Sequence, residues 1–302
     1  VKRFIPLFAV STIYLFRFII LSLLFNFKIN WHKNVNYESV SVFGHLAHID
    51  RAKLKKDVLH LDHLGELSLI LKKKNINVNW FYNFIKSEIT PSVYSAKKII
   101  DAINKNSQKN WHNIIGYKIT LKLIMSIIHT YLKIYFRFLF LKNTNELFFY
   151  EKRSLNCWSI FKDDWNDSIF GTNLLKNIIW LHIFEEILSN IPYQKLGFYV
   201  QENQGWERAL ITRWNKYKHG DLIAFNHTFM RFWDTRYYDE KETLKNNYQL
   251  KLPQPKYIAV NGPYCLNEHL KQNYKRKTLV DVEAIRYAKY NNIKKFKQKK
   301  IK

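Results

Sequence analysis

Acidic residues are scarce in this chain. It holds 24 Asp and Glu against 49 Lys and Arg, a formal net charge of +25 over 302 residues. Glycine and proline are also few, at 8 and 6. That excludes collagen-like and low-complexity architectures, disfavours a β-sandwich built on many tight turns, and favours long helices. The two cysteines, Cys157 and Cys265, lie too far apart for a metal knuckle or a redox pair. A disulfide framework is excluded, and the usage is that of a reducing compartment. Hydrophobic residues make up 47% and aromatics 17%, so core material is ample and disorder is expected only at the Lys-rich C-terminal end.

The positive charge calls for an anionic partner: nucleic acid, an anionic membrane surface, or a phosphate-bearing substrate. Part of it follows simply from a composition rich in Lys and Asn. No RNA-binding aromatic signature, zinc-finger spacing or helix-turn-helix accompanies it, which makes nucleic acid the weakest of the three.

Residues 4–27 are apolar apart from Arg17, behind Lys2-Arg3. The length suffices for a membrane span, no small-residue cleavage site follows, and a mid-span Arg is costly in lipid. A spanning helix, a membrane-dipping helix and a core helix all remain open. Val40 to Asp50, VSVFGHLAHID, reads as a strand running into a loop with His45, His48 and Asp50. A helix over about 65–74 and a strand over about 77–85 follow. His60-Leu-Asp62-His63 lacks the leading His-x-His of a binuclear motif, reads as surface, and no metal is assigned. In 117–142, Lys118, Lys122, Ser126, His129, Lys133 and Arg137 recur at helical spacing in one stripe of an otherwise apolar helix. That fits a helix in a membrane interface, or a core helix with one exposed stripe. FKDDWNDSIF (161–170) places Asp163, Asp164 and Asp167 around Trp165, either as caps before a helix or as groups holding a sugar.

The densest signal is LGFYVQENQGWERALITRWNKYKHGDLIAFNH, residues 196–227. LGFYV reads as a strand, 205–218 as an amphipathic helix with Trp206, Ala209, Leu210 and Trp214 inward, and LIAF as the next strand. Arg208, Arg213 and Lys216 fall on the other face. The strands end in Gln201-Glu202-Asn203-Gln204 and in Asn226-His227. Carboxyl ends of parallel strands form the ligand crevice of open α/β sheets, so these ends predict two walls of one polar site. Ordinary polar loops are the alternative. MRFWDTRYYD (230–239) then sets Arg231, Asp234 and Arg236 among aromatics, as a phosphate clamp or as structural pairs. KYIAVNGPYCLNEHL and TLVDVEAIRYA read as strand, corner at Asn261, helix, strand, and a polar end with Glu283 and Arg286.

FGHLAHID, DWNDS, YVQENQGWERAL, NHTFMRFWDTRYY and YIAVNG followed by VEAIRY together resemble the bacterial surface carbohydrate biosynthesis proteins found with capsule and O-antigen genes. That family is similar to GT-B glycosyltransferases. The resemblance implies an α/β, GT-B-like fold: a Rossmann-like N-terminal domain with added long helices and an incomplete second Rossmann-like domain. The expected divisions are an apolar helix in 1–35, an acceptor-side domain in 36–252 with a helical insertion over 92–195, and a truncated nucleotide-sugar domain from 253 to 302.

The implied activity is transfer of a sugar from a nucleotide-sugar to a glycan or lipid-linked acceptor, in the cytoplasm at the inner face of the plasma membrane, peripheral or single-span. No cofactor is implied, the nucleotide-sugar being a substrate. Glu202 is the first choice of base, then Asp50 or Asp164. His227, Arg231 and Arg236 would take phosphate, and Trp206 or Trp233 would pack near the sugar. Asn203, Glu207, Asp234, Asn261, Glu283 and Arg286 complete the expected substrate contacts. The alternative expectation is a non-catalytic membrane-associated scaffold, or a decayed fragment, in the same pathway.

Overall fold

The structure, a computed structural model, describes residues 6–24, 35–47, 49, 59–107, 109–116, 120–141, 144–150, 155–226, 230–231, 235–239, 244 and 252–284. The chain forms two compact units. One joins Val1–Ile29 to Gly116–Ser189, and the other joins Asn30–Ile115 to Asn190–Lys302.

In the first unit, α1 (Leu7–Leu24), α4 (Leu121–Leu139), α5 (Trp158–Ile169) and α6 (Thr172–Leu188) pack together, with a two-stranded ribbon of β4 (Phe149–Tyr150) and β5 (Leu155–Asn156). Helix α6 is apolar around most of its circumference and buries Leu174, Leu175, Ile178, Ile179, Ile183, Phe184, Ile187 and Leu188, as a central helix must. Phe8 of α1 packs against Tyr131 and Tyr135 of α4. The Tyr131 hydroxyl and the Ser11 hydroxyl both donate to the Phe170 carbonyl, at 2.7 and 3.4 Å. Among the described residues no helix is long and apolar enough to cross a membrane.

The second unit is an α/β sheet. Its strands are β1 (Val40–Leu46), β2 (Val78–Phe84), β3 (Asn110–Ile115), β6 (Leu196–Val200), β7 (Asp221–Phe225), β8 (Tyr257–Val260) and β9 (Leu279–Asp281). The order across the sheet is β3-β2-β1-β6-β7-β8-β9, and every pairing is parallel. This is a Rossmann-like arrangement: the chain runs outward from β1 to β3, then restarts on the other side of β1 with β6. Val42, Phe43 and Leu46 of the central β1 are fully enclosed, as expected of a strand covered on both faces.

Helices α2 (Leu67–Lys73), α3 (Val93–Asn106), α7 (Gly205–Lys216) and α8 (Pro263–Lys271) belong to this unit. Helix α3 starts at a capping box in which the Ser92 side chain accepts from the Ser95 N–H. Helix α7 buries the predicted Trp206, Ala209, Leu210 and Trp214, and Glu207 and Ile211 with them. The Trp214 ring reaches β6, where a Cβ on Gly197 would stand 2.8 Å from it. Before α8, Gly262 takes a positive φ of 100° and Pro263 opens the helix, a pairing suited to a tight corner.

Several expectations are corrected here. Residues 253–284 do not begin a second sheet, because Ile223 pairs with Tyr257 and Ile258 with Leu279, so β8 and β9 extend the existing one. The helical unit takes 116–189, so α3 and β3 belong to the sheet rather than to an insertion starting at 92. Asp163, Asp164 and Asp167 lie within α5 instead of preceding a helix. His60 and His63 are buried, not surface residues. Arg208 is likewise drawn inward, because Asp239 is a partly enclosed partner for it.

Candidate functional site

The strand order reverses between β1 and β6. At such a switch point, neighbouring connections leave on opposite faces and open a crevice beyond the carboxyl ends of the strands. Phe43 pairs with Tyr199, and Val200 with Phe225. Carried on by one or two residues, this register sets His45, Gln201 and Asn226 in one row, with Asn83 opposite His45 on β2. The Gln201 N–H donates to the Phe225 carbonyl at 2.9 Å and the Asn226 N–H to Ala259 at 3.3 Å, so the row is anchored by backbone bonds. The two strand ends that the sequence set as walls of one site are indeed adjacent.

This row is polar and incompletely satisfied. His45 Nδ1, Gln201 Oε1, both side-chain polar atoms of Asn226, and Asn261 Oδ1 are buried and find no hydrogen-bond partner among the described residues. An unmet buried polar atom costs about 1–3 kcal/mol. Four such residues stand together at the ends of β1, β6, β7 and β8, which makes this row the candidate site.

Burial lowers the pKa of His45, and the nearby Glu202 carboxylate opposes that shift. The imidazole is thus neutral at physiological pH and able to accept a proton. The Trp206 ring meets His45 edge-on, with centroids 5.5 Å apart. Trp206 is itself buried and also contacts Tyr199. It supports the imidazole from below and offers no open face for a sugar, contrary to expectation. Glu202 is half-buried and accepts from Gln204 Nε2 at 2.6 Å.

Glu207 has a different part from the one predicted. Its carboxylate accepts the N–H groups of Glu202 and Gln204 at 3.0 Å and of Asn203 at 3.1 Å. The N–H groups of the turn that leads into α7, at 202–204, are thus taken up by the chain's own carboxylate. Burial pushes the Glu207 carboxyl up to about 7, against the backbone N–H groups and Arg208 that pull it down. Asn203 completes the turn with a positive φ of 54°. Its amide donates to the Arg236 carbonyl at 2.7 Å, which ties the 235–237 turn to the end of β6.

Behind this loop lies a cluster absent from the sequence reading. Arg208 Nη2 donates to both oxygens of Asp239 at 2.9 and 3.1 Å, and Nη1 to the Pro253 carbonyl at 2.9 Å. The Tyr274 hydroxyl donates to Asp239 at 2.5 Å, and the Asp239 N–H donates to Gln272 Oε1 at 3.0 Å. The pairing holds α7, the Pro-containing segment and the end of α8 together.

Of the residues picked from the sequence, Glu202, Asn203, Trp206, Glu207 and Asn261 gather at these strand ends. Arg231 and Arg236 are exposed, and the Arg236 guanidinium lies 5.8 Å from the Tyr237 ring centre. Glu283 is exposed beyond β9, and Asp164 is an exposed residue of the helical unit. Asp50, His227, Trp233, Asp234 and Arg286 lie outside the described residues. His45, Gln201 and Asn226 were read as polar strand ends of the site but were given no role of their own in it. Among the described residues no group of three or more His, Cys, Asp or Glu is placed to hold a metal. No family model, curated protein or solved structure matches the chain.

Proposed function

We propose that the protein is a GT-B-like glycosyltransferase of surface polysaccharide synthesis, and that the β1/β6 crevice receives the hydroxyl-bearing acceptor. The observation that carries this reading is the row of neutral groups, buried Gln201 and Asn226 with half-buried His45 and Asn261, whose enclosed polar atoms find no partner among the described residues. Amides and a neutral imidazole both donate and accept, which matches sugar hydroxyls better than it matches a phosphate. The carboxylate of Glu207, which takes the N–H groups of the 202–204 turn, also disfavours a phosphate on that turn.

In the proposed step an acceptor hydroxyl oxygen bonds to the anomeric carbon of a nucleotide-sugar. The carbon–oxygen bond to the nucleotide breaks, and its electron pair leaves with the phosphate. The hydroxyl proton passes to His45 Nδ1, and Glu202 steadies the imidazolium that forms. The base is therefore assigned to His45, with Glu202 as its electrostatic partner.

The test is release of nucleotide from CMP-, UDP- and GDP-sugars in the presence of lipid-linked glycan acceptors. Loss of release in both His45→Ala and Glu202→Gln, with their melting temperatures unchanged, supports the assignment. Unchanged turnover in both would sink it. Glycan binding by calorimetry without turnover of any donor would favour the scaffold reading.

A further inference from the structure

The outer face of α1 inverts the usual order of burial. Ser11 and Ser22 are fully enclosed at 0% exposure, while Ile13, Phe16, Ile20 and Leu23 are each more than half exposed. These four follow one another at three- and four-residue steps, so they form one stripe. Arg17 is exposed within it. A helix with its small polar residues turned to the protein and its large apolar ones turned out fits an apolar surround.

The charges give a second, independent observation. Helices α1 and α4 carry Arg17, Lys122, Lys133 and Arg137 and no Asp or Glu. On α4 those three cations are exposed beside Met125, Phe136 and Phe140. The two helices meet through Phe8, Tyr131 and Tyr135, so the exposed apolar surfaces belong to one packed pair bearing positive charge alone.

We propose that α1 and α4 dock this unit onto an anionic lipid bilayer. Helix α1 lies along the interface, its apolar stripe among the upper acyl chains and Arg17 among the headgroups. A second copy of the chain is a poorer occupant. Two such faces would set like charges against each other with no carboxylate on either helix to pair them, whereas anionic headgroups supply the missing partner. The proposal is independent of glycosyl transfer.

The experiment is flotation of the full chain with vesicles of phosphatidylcholine alone and of phosphatidylcholine mixed in equal parts with phosphatidylglycerol. The wild type should float with the anionic vesicles. Phe16→Glu/Ile20→Glu should lower the partition by about tenfold or more at an unchanged melting temperature, since both side chains are exposed. Lys256→Glu, an exposed position in the sheet unit, changes the net charge equally and should keep near wild-type flotation. Equal flotation of the double variant, or an equal loss in the Lys256 control, overturns the proposal. So does a wild-type dimer that fails to float and dissociates in the double variant, which would assign the face to a second copy.

Discussion

The Glu207 carboxylate accepts the Glu202 N–H at 3.0 Å, so one acidic residue of the β6–α7 turn serves to hold the other in place. Glu207 closes the turn from within, and Glu202 is left beside His45 at the crevice. Two carboxylates five positions apart are thus set differently, one bound into the turn and one at the crevice.

Glu207 gives a pH dependence of stability. Its ordinary value is 4.5 and burial raises it to about 7. Between those values the folded chain holds a proton that the unfolded chain has released, so stability falls as pH rises across the window. Calorimetric melting of the wild type should show a lower transition at pH 8 than at pH 5, relative to Glu207→Gln, in which this slope is absent. Parallel curves for the two proteins would refute the assignment.

Gln201 and Asn226 should be expensive to keep. Gln201 Oε1 and both side-chain polar atoms of Asn226 are buried without a partner among the described residues, while Gln201 Nε2 donates to Asn203 Oδ1 at 3.4 Å, so an apolar side chain of similar size removes more unmet need at Asn226 than at Gln201. Gln201→Leu and Asn226→Leu are expected to be neutral or to stabilise by about 1 kcal/mol, while abolishing glycan binding. Urea unfolding checks the first part and calorimetric titration with acceptor glycans the second. Destabilisation by more than that amount would mean that these amides serve the fold.

Asp239→Ala should be among the most damaging single changes. It leaves Arg208 without its bidentate partner in a partly enclosed place and removes the acceptor of the Tyr274 hydroxyl. A cost of about 3 kcal/mol is expected from loss of one member of a buried pair. Denaturant titration at neutral pH measures it, and a change under 1 kcal/mol, of the size typical of exposed pairs, would show the network to be dispensable.

Gly197→Ala tests the close approach of α7 to β6. The added methyl would meet Leu222 at 2.7 Å and the Trp214 ring at 2.8 Å. Both are enclosed in the core, so overpacking should cost about 1–3 kcal/mol. Trp214 fluorescence and thermal melting report the shift, and an unaltered melting temperature would show the neighbours free to yield.

How legible was this in the sequence? The β6–α7–β7 stretch was readable because its period changes from strand to helix and back between polar corners. The destination of β8 and β9 was not. A strand–helix–strand behind a proline linker looks the same whether it starts a new sheet or extends an old one, since pairing is decided by tertiary contact. Glu207 was misread for a related reason. The cap residue is Gln204, outside the usual Ser, Thr, Asp and Asn set, so the spacing gave little warning of a capping box. The Arg208–Asp239 pair spans 31 positions and leaves no local pattern. His45 stood in a predicted strand, but its neutral state depends on burial by elements far along the chain, Trp206 among them.

The strand order has a consequence for how a ligand would be held. Strands β1–β3 are complete before the chain departs into 116–189, and β6–β9 form only after it returns. The two halves of the sheet meet at four residue pairs, from Val40 with Leu196 to Phe43 with Tyr199, and at Gln194, whose side-chain oxygen accepts from Ser39, Ser41 and Asn79 at 2.8–2.9 Å. His45 and Gln201 continue the paired strands on opposite sides at their open end. A ligand held by both side chains would bridge the two halves of the sheet at that end.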